Sequence, residues 1–284
     1  MKGRIGLTTV VLALTAVALA AGVGGARAET SLPLAPHRAA YEISLVEDYG
    51  AQRSNSQTPV AASGLIAYEF SGSRCDGFAS NFRQFTQLQR SEGDPVSSDI
   101  HAVTFEDGDA KRMRFQIDSQ MEGSDSPAVV GSASRAADGG DTTVALSKPD
   151  AETMDIGKDI LFPTEHVERI IAHAKAGGGT MEARVYDGSD TGKKVFQTLT
   201  VIGKEATSPP PESDFADTLG KIRRWPVTVS YFDEKARDAP PEYILSFDLY
   251  ENGVSGTLKL DYGAFALQAK LKRLDLLPIP ACPN

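Results

Sequence analysis

Four histidines, two cysteines and a scatter of carboxylates are the residues here that could do chemistry, and their spacing argues against most of it. Only His166 and His173 could cooperate. They stand seven residues apart, on one face of a helix, but about 10.5 Å apart along its axis, too far to share one metal ion. With Glu165 or Glu168 they could border a pocket. Gly188-Ser189-Asp190-Thr191-Gly192 contains the Asp-Thr-Gly of an aspartic protease, yet that chemistry needs two carboxylates sharing a proton and no second such triplet occurs. Asp190 therefore reads as a turn residue. No Gly-x-Ser-x-Gly elbow, phosphate-cradling Gly-x-x-x-x-Gly-Lys, dinucleotide Gly-x-Gly-x-x-Gly or His-Glu-x-x-His is present. Trp225, alone and followed by Pro226, suits a strand-entry anchor better than a ligand-stacking platform. The expectation is a protein without catalysis, cofactor or metal, in which His166, Ile170, His173 and Trp225 are the candidates to line a cleft.

Cys75 and Cys282 are the only cysteines. The N-terminus explains their use: Lys2 and Arg4 precede an apolar run from Ile5 to Ala21 that ends at Ala26-Arg27-Ala28, the pattern of a secretory signal cleaved between Ala28 and Glu29. The mature chain, residues 29–284, then occupies an oxidising compartment, the periplasm of a Gram-negative cell, where an even cysteine count favours a disulfide over free thiols or redox chemistry. There is no Cys-x-x-Cys, and Cys282 sits in a stiff Pro280-Ala281-Cys282-Pro283 tail that needs an anchor. No later stretch is apolar enough to span a membrane as a helix. Removing Lys2, Arg4 and Arg27 from 29 basic residues leaves 26 against 38 acidic ones, a balance near −12. Such a surface repels nucleic acid, and Arg223-Arg224 reads as a solvated edge.

The elements that must position these residues are mostly strands. Alternation with period two marks about thirteen of them, from Arg38 to Val46, where Ala39, Tyr41, Ile43 and Leu45 share a face, to Val254 to Tyr262 and Phe265 to Leu274. Phe82 and Phe85, three apart in one aromatic strand, predict a bend or bulge there. Turn signals such as Glu106-Asp107-Gly108-Asp109, Asp187-Gly188 and Asn252-Gly253 imply sequential hairpins. One helix interrupts the series, Thr164 to Ala176, with Thr164 as N-cap and Gly177-Gly178-Gly179 as stop. Residues 206–220 and 233–242, rich in proline, read as surface excursions within a single domain. So many strands must curl. The chain lacks the lipid-facing apolar band and apolar C-terminal strand of an outer-membrane barrel.

Several segments together resemble a known family. Leu34-Ala35-Pro36-His37-Arg38-Ala39-Ala40-Tyr41, Cys75-Asp76-Gly77-Phe78, Arg223-Arg224-Trp225-Pro226-Val227, Ser230-Tyr231-Phe232-Asp233, Tyr243 to Gly253 and the terminal Pro-x-Cys are similar to the alphaproteobacterial cell envelope integrity protein B family, a periplasmic family long classed as a domain of unknown function. The resemblance covers nearly all of the mature chain. It implies antiparallel strands wrapped as a broken, spiral-like β-barrel around an internal helix, a disulfide between Cys75 and Cys282, and a part in envelope integrity and stress resistance without catalysis. On this reading the protein acts through periplasmic protein partners or an extended ligand. The alternative is a carrier of lipid, lipoprotein or peptide, with the helix as lid or plug.

Overall fold

Apolar alternation punctuated by Gly-rich turns makes each strand pair with its neighbour in sequence, and the structure, a computed structural model describing residues 33–47, 58–122, 126–137, 139–236 and 238–282, is one 15-stranded sheet built that way. The export signal and its cleavage site lie outside the described residues. One arm comprises β1 (His37–Leu45), β2 (Pro59–Ser73), β3 (Gly77–Arg90), β4 (Val96–Glu106), β5 (Arg112–Met121), β6 (Val129–Arg135), β7 (Thr142–Lys148) and β8 (Glu152–Asp155). The other comprises β9 (Ile160–Leu161), β10 (Gly179–Val185), β11 (Phe196–Ile202), β12 (Arg224–Asp233), β13 (Tyr243–Tyr250), β14 (Leu258–Asp261) and β15 (Ala266–Leu276). The arms join where β1 pairs with β15, His37 facing Leu276 and Leu45 facing Leu267, with a bulge between Ala40 and Tyr41. Every pairing is antiparallel except β9 on β10, which is parallel.

Fifteen strands rather than thirteen make the sheet, and the two extra ones are its edges. β8 has four residues and β9 two, too short for a period to declare itself. Short strands at the edges limit the exposed row of unpaired backbone groups that would otherwise recruit other chains. Although consecutive in sequence, β8 and β9 do not pair, so the sheet curls without closing. The seam is bridged instead by a side chain: Arg184 of β10 donates to the Ile156 and Lys158 carbonyls in the β8–β9 connection and to the Glu234 carboxylate. Lys193 adds an ion pair with Glu152.

Followed through cross-strand partners, one face of the sheet carries three buried clusters. The first gathers Met113, Phe115 and Val144 with Phe162 and Tyr186, the second Tyr41, Ile66 and Leu267 with Leu219 and Tyr250. The third seats α1 (Pro163–Lys175), whose Ile170, Ile171 and Ala174 pack on Ile202, Trp225, Val227 and Leu249. Burying each of the two isoleucines contributes about 2–3 kcal/mol. The helix therefore lies on the inner face, at the position expected from its spacing. Trp225 is held from the other side by the Arg223 guanidinium, 5.0 Å above its ring.

The structure revises or refines the local expectations at four points. The β2–β3 register is unbroken from Gly77 to Gln89, its one shift lying opposite Arg90 between Pro59 and Ala61, so Phe82 faces inward and Phe85 outward, 44% exposed; strand alternation puts the two rings on opposite faces and no bulge is needed between them. Arg224 is buried rather than solvated: it donates to Asp248, to the Ser208 hydroxyl and to the Ser208 and Pro209 carbonyls, clamping the proline-rich segment. Residues 206–220 are largely exposed, as expected of a surface excursion, but they are not irregular throughout: a 3-10 turn (Ser213–Phe215) and α2 (Ala216–Leu219) anchor the segment by burying Leu219 in the cluster of Tyr41 and Tyr250. Finally, the strand expected from Val254 starts only at Leu258. The Thr257 N–H and the Tyr250 hydroxyl both donate to the buried Glu212 carboxylate, which takes the place of a ladder partner. The hairpin itself stands, with Gly253 at φ +84°.

Cys75, in the turn between β2 and β3, is bonded to Cys282 on the tail after β15, with Cα atoms 5.6 Å apart across a sequence separation of 207. A loop of this size restricts the unfolded chain by at most about 5 kcal/mol. Cys75→Ser should accordingly lower stability by several kcal/mol, read as a drop in melting temperature that dithiothreitol reproduces in the parent protein; an unchanged melting temperature in reductant would refute it. Arg184→Met should speed amide exchange over residues 156–161, measured by hydrogen–deuterium mass spectrometry, while β1 and β15 keep their protection. Equal exchange at the seam would show that Arg184 does not hold it.

Candidate functional site

A cleft opens at the amino end of α1, where the helix meets both arms of the sheet. Its cavity volume is about 90 Å³, and it is lined from the start of β1 by Leu34 and His37, from β2 to β4 by Tyr68, Phe70, Ser80 and Glu106, from α1 by Pro163, Thr164 and Val167, and from the β13–β14 turn by Asn252 and Gly253. The first turn of a helix leaves N–H groups without intrahelical partners, and Pro at the first position removes one of them. The N-cap is Phe162, which has no side-chain acceptor to offer. Thr164, expected as the cap, instead donates from its backbone N–H (3.0 Å) and its hydroxyl (2.7 Å) to Glu106 of β4. A carboxylate from the sheet thus caps the helix from 58 residues away and places negative charge at its positive pole.

That carboxylate is 2% exposed. Burial raises its pKa to about 7, opposed by the Thr164 hydrogen bonds and assisted by the nearby negative charges of Glu165 and Glu168. Those two are themselves held from the sheet: Arg135 donates to Glu165 (2.8 Å) and Arg74 to Glu168 (2.8 Å). His37, 3% exposed, donates from Nδ1 to the Ala35 carbonyl at 2.7 Å, and burial lowers its pKa. Its ring lies 5.6 Å from that of Tyr68. The Ala35 N–H in turn donates to the Asn252 carbonyl at 2.8 Å, tying the chain before β1 to the β13–β14 turn. Leu34 sits so closely on Gly253 that a Cβ there would fall 2.7 Å from it.

The side chains singled out by sequence lie elsewhere. Ile170 and Trp225 come together in the cluster beneath α1, His166 is 4% exposed on the helix, and His173 is half-buried in its last turn. None of the four lines this cleft. Burial alone lowers the pKa of His166 to about 4, and its Nε2 has no hydrogen-bond partner. Asp190 is exposed in the β10–β11 connection with φ +57°, as a turn residue should be. The cleft residues His37, Tyr68, Glu106 and Asn252 escaped notice because each sits inside a strand or turn pattern that explains it without function. Glu106 in particular heads a turn signal. Among the described residues no group of three or more His, Cys, Asp or Glu could hold a metal ion.

Glu106 and His166 impose opposite pH dependences. The folded state keeps the Glu106 proton that an unfolded carboxyl releases near 4.5, so this contribution is full below pH 4.5 and lost as pH rises through about 7. His166 binds a proton near 6.5 when unfolded but only near 4 when folded, so its contribution is full above pH 6.5 and lost as pH falls through about 4. Glu106→Gln keeps an acceptor for Thr164 and removes only the first effect. The stability of this variant relative to the parent, measured by urea unfolding, should be greater at pH 8 than at pH 5 by roughly 2–3 kcal/mol. The same difference at both pH values would rule out a buried, protonatable Glu106.

Comparison with known proteins places the whole domain. The EipB-like family matches residues 28–278. A cell envelope integrity protein EipB from Brucella abortus (strain 2308) is 35% identical over 255 residues, which span 89% of this chain and 88% of the relative. A crystal structure of a beta-barrel-like protein of a domain of unknown function, also from Brucella abortus, matches with a TM-score of 0.78 at 34% identity, covering 87% of this chain and 100% of that one.

Proposed function

The chain belongs to the EipB-like family, and on that premise we propose that it is an exported, non-catalytic periplasmic protein that supports cell-envelope integrity and stress resistance by binding protein partners or an extended ligand. The relative's name supplies the envelope role. The export signal before Ala28 and the Cys75–Cys282 disulfide support the compartment. No helix among the described residues is long and apolar enough to cross a membrane. The observation that carries the binding mode is the unclosed sheet. A barrel packed solid would have no use for a seam, whereas a curled sheet with an inner helix leaves open concave surface: the cleft at α1 and a second opening at the seam, lined by Met154, Lys193, Lys194 and Glu234. A second reading, a carrier of lipid, lipoprotein or peptide, is favoured by the apolar walls that Leu34, Phe70 and Val167 give the cleft.

A strain lacking this protein should plate poorly on deoxycholate and recover when the full chain is restored. Normal plating of the deletion strain would remove the envelope role. His173→Ala and Asp190→Ala should complement as well as the parent; failure of either, with melting unchanged, would point to catalysis instead. Affinity capture of the mature protein, with proteins and lipids identified from one eluate, separates the two binding modes. A stoichiometric protein without lipid supports a partner, and recovered acyl chains, lost when α1 is disrupted, support a carrier.

A further inference from the structure

The polar atoms facing the cleft at α1 are complementary to one kind of group. His37 uses Nδ1 to donate to a carbonyl, which can only accept, so Nδ1 carries the hydrogen and Nε2 of the neutral ring is a bare acceptor. Asn252 accepts the Val254 N–H at Oδ1, which fixes its amide orientation and leaves Nδ2 as the free, donating end. Neither Nε2 of His37 nor Nδ2 of Asn252 has a hydrogen-bond partner among the described residues; the two side chains are only 3% and 5% exposed and line the cleft, yet neither atom is sealed from solvent. A buried polar side chain normally finds a partner inside the protein. Here one acceptor and one donor, linked through the Asn252–Ala35–His37 hydrogen bonds, are left for something that enters.

We propose that this cleft binds an uncharged amide or hydroxyl group carried on an apolar body, with His37 Nε2 accepting from its N–H or O–H and Asn252 Nδ2 donating to its oxygen. Leu34, Phe70 and Val167 receive the apolar part, and Tyr68 can serve either role through its hydroxyl. Charged head groups fit less well. The positive pole of α1 already holds the Glu106 carboxylate, so an anion meets like charge at close range. A cation would lose its hydration among apolar walls, and the Glu106 carboxylate that could pair with it already accepts from the Thr164 N–H and hydroxyl. This inference rests on the reading that the protein acts by binding and not on its envelope role.

The test is a titration of the mature protein, labelled with 15N-histidine, with hexanamide, hexanoate and hexylammonium at pH 7.5. Hexanamide should give a saturable shift of the His37 Nε2 resonance and bind at least about tenfold more tightly than either charged analogue, the worth of roughly one well-made hydrogen bond. Asn252→Asp keeps the acceptor for Val254 but removes the donor and, in a chain that still folds, should weaken hexanamide by about tenfold or more. Hexanoate or hexylammonium binding as tightly as hexanamide, or a His37 resonance that never moves, overturns the proposal. If Asn252→Asp fails to fold, the parent's His37 resonance still decides. Deoxycholate plating is a separate readout: saturable hexanamide binding in a protein whose deletion plates normally leaves this site standing and removes the envelope reading, and a plating defect with a silent His37 does the reverse.

Discussion

The pairing of the first strand with the last is the constraint from which the rest of this fold hangs. β1 and β15 sit at the centre of the sheet, and every other strand is added outward from them, one arm reaching β8 and the other β9. Their contact closes the longest loop in the protein, the kind of contact that must be made against the largest entropy of closure. The Cys75–Cys282 disulfide spans the same long interval, tying the turn after β2 to the tail after β15. The Leu277 N–H donates to the Pro36 carbonyl at 2.8 Å, which extends the pairing beyond the strands on the side from which that tail departs. The first and last strands, which in many domains fray, are here the middle of the sheet.

Because the arms grow from the centre, their free ends must meet or miss, and they miss by one short connection. The inner helix occupies that connection's far side, since α1 follows β9 directly. Its position is over-determined by charge as well as by packing. Glu106 holds the amino end, Arg135 and Arg74 hold Glu165 and Glu168, and Lys175 in the last turn donates to Glu251 at 2.7 Å. The last pair is almost wholly buried, so loss of one partner would strand a charge without solvent. Exposed ion pairs contribute little, but these join elements far apart in sequence and so orient α1 across both arms. The cleft at its amino end exists because the helix stops against β4 rather than continuing.

Much of this was legible from local pattern. Period-two alternation located thirteen strands, and Val167, Ile170, Ile171 and Ala174 announced a helix whose bounds fell within a residue of those observed. Strands of two and four residues cannot show a period, so β8 and β9, and with them the seam, stayed silent. Polar residues misled for a related reason. Arg224, Glu212 and Glu106 belong to types that are usually solvated, and each is buried only because a partner distant in sequence arrives to satisfy it. The proline-rich segment 206–220 is surface, as it looked, but nothing local announced that Arg224 and the buried Leu219 would anchor it. His166 and Trp225 stood out as rare residues, and rarity does not say which way a side chain faces.

The amino-acid sequence by itself determined the sheet class, the sequential antiparallel pairing and the placement of one helix, because each rests on interactions between residues near one another in the chain. Tertiary structure alone decided that the sheet remains unclosed, that a carboxylate of β4 caps α1, and that His37 and Asn252 face one cleft with a free acceptor and a free donor. Those outcomes depend on residues 58 and more positions apart, and a one-dimensional pattern carries no record of which distant group will come to satisfy a buried one.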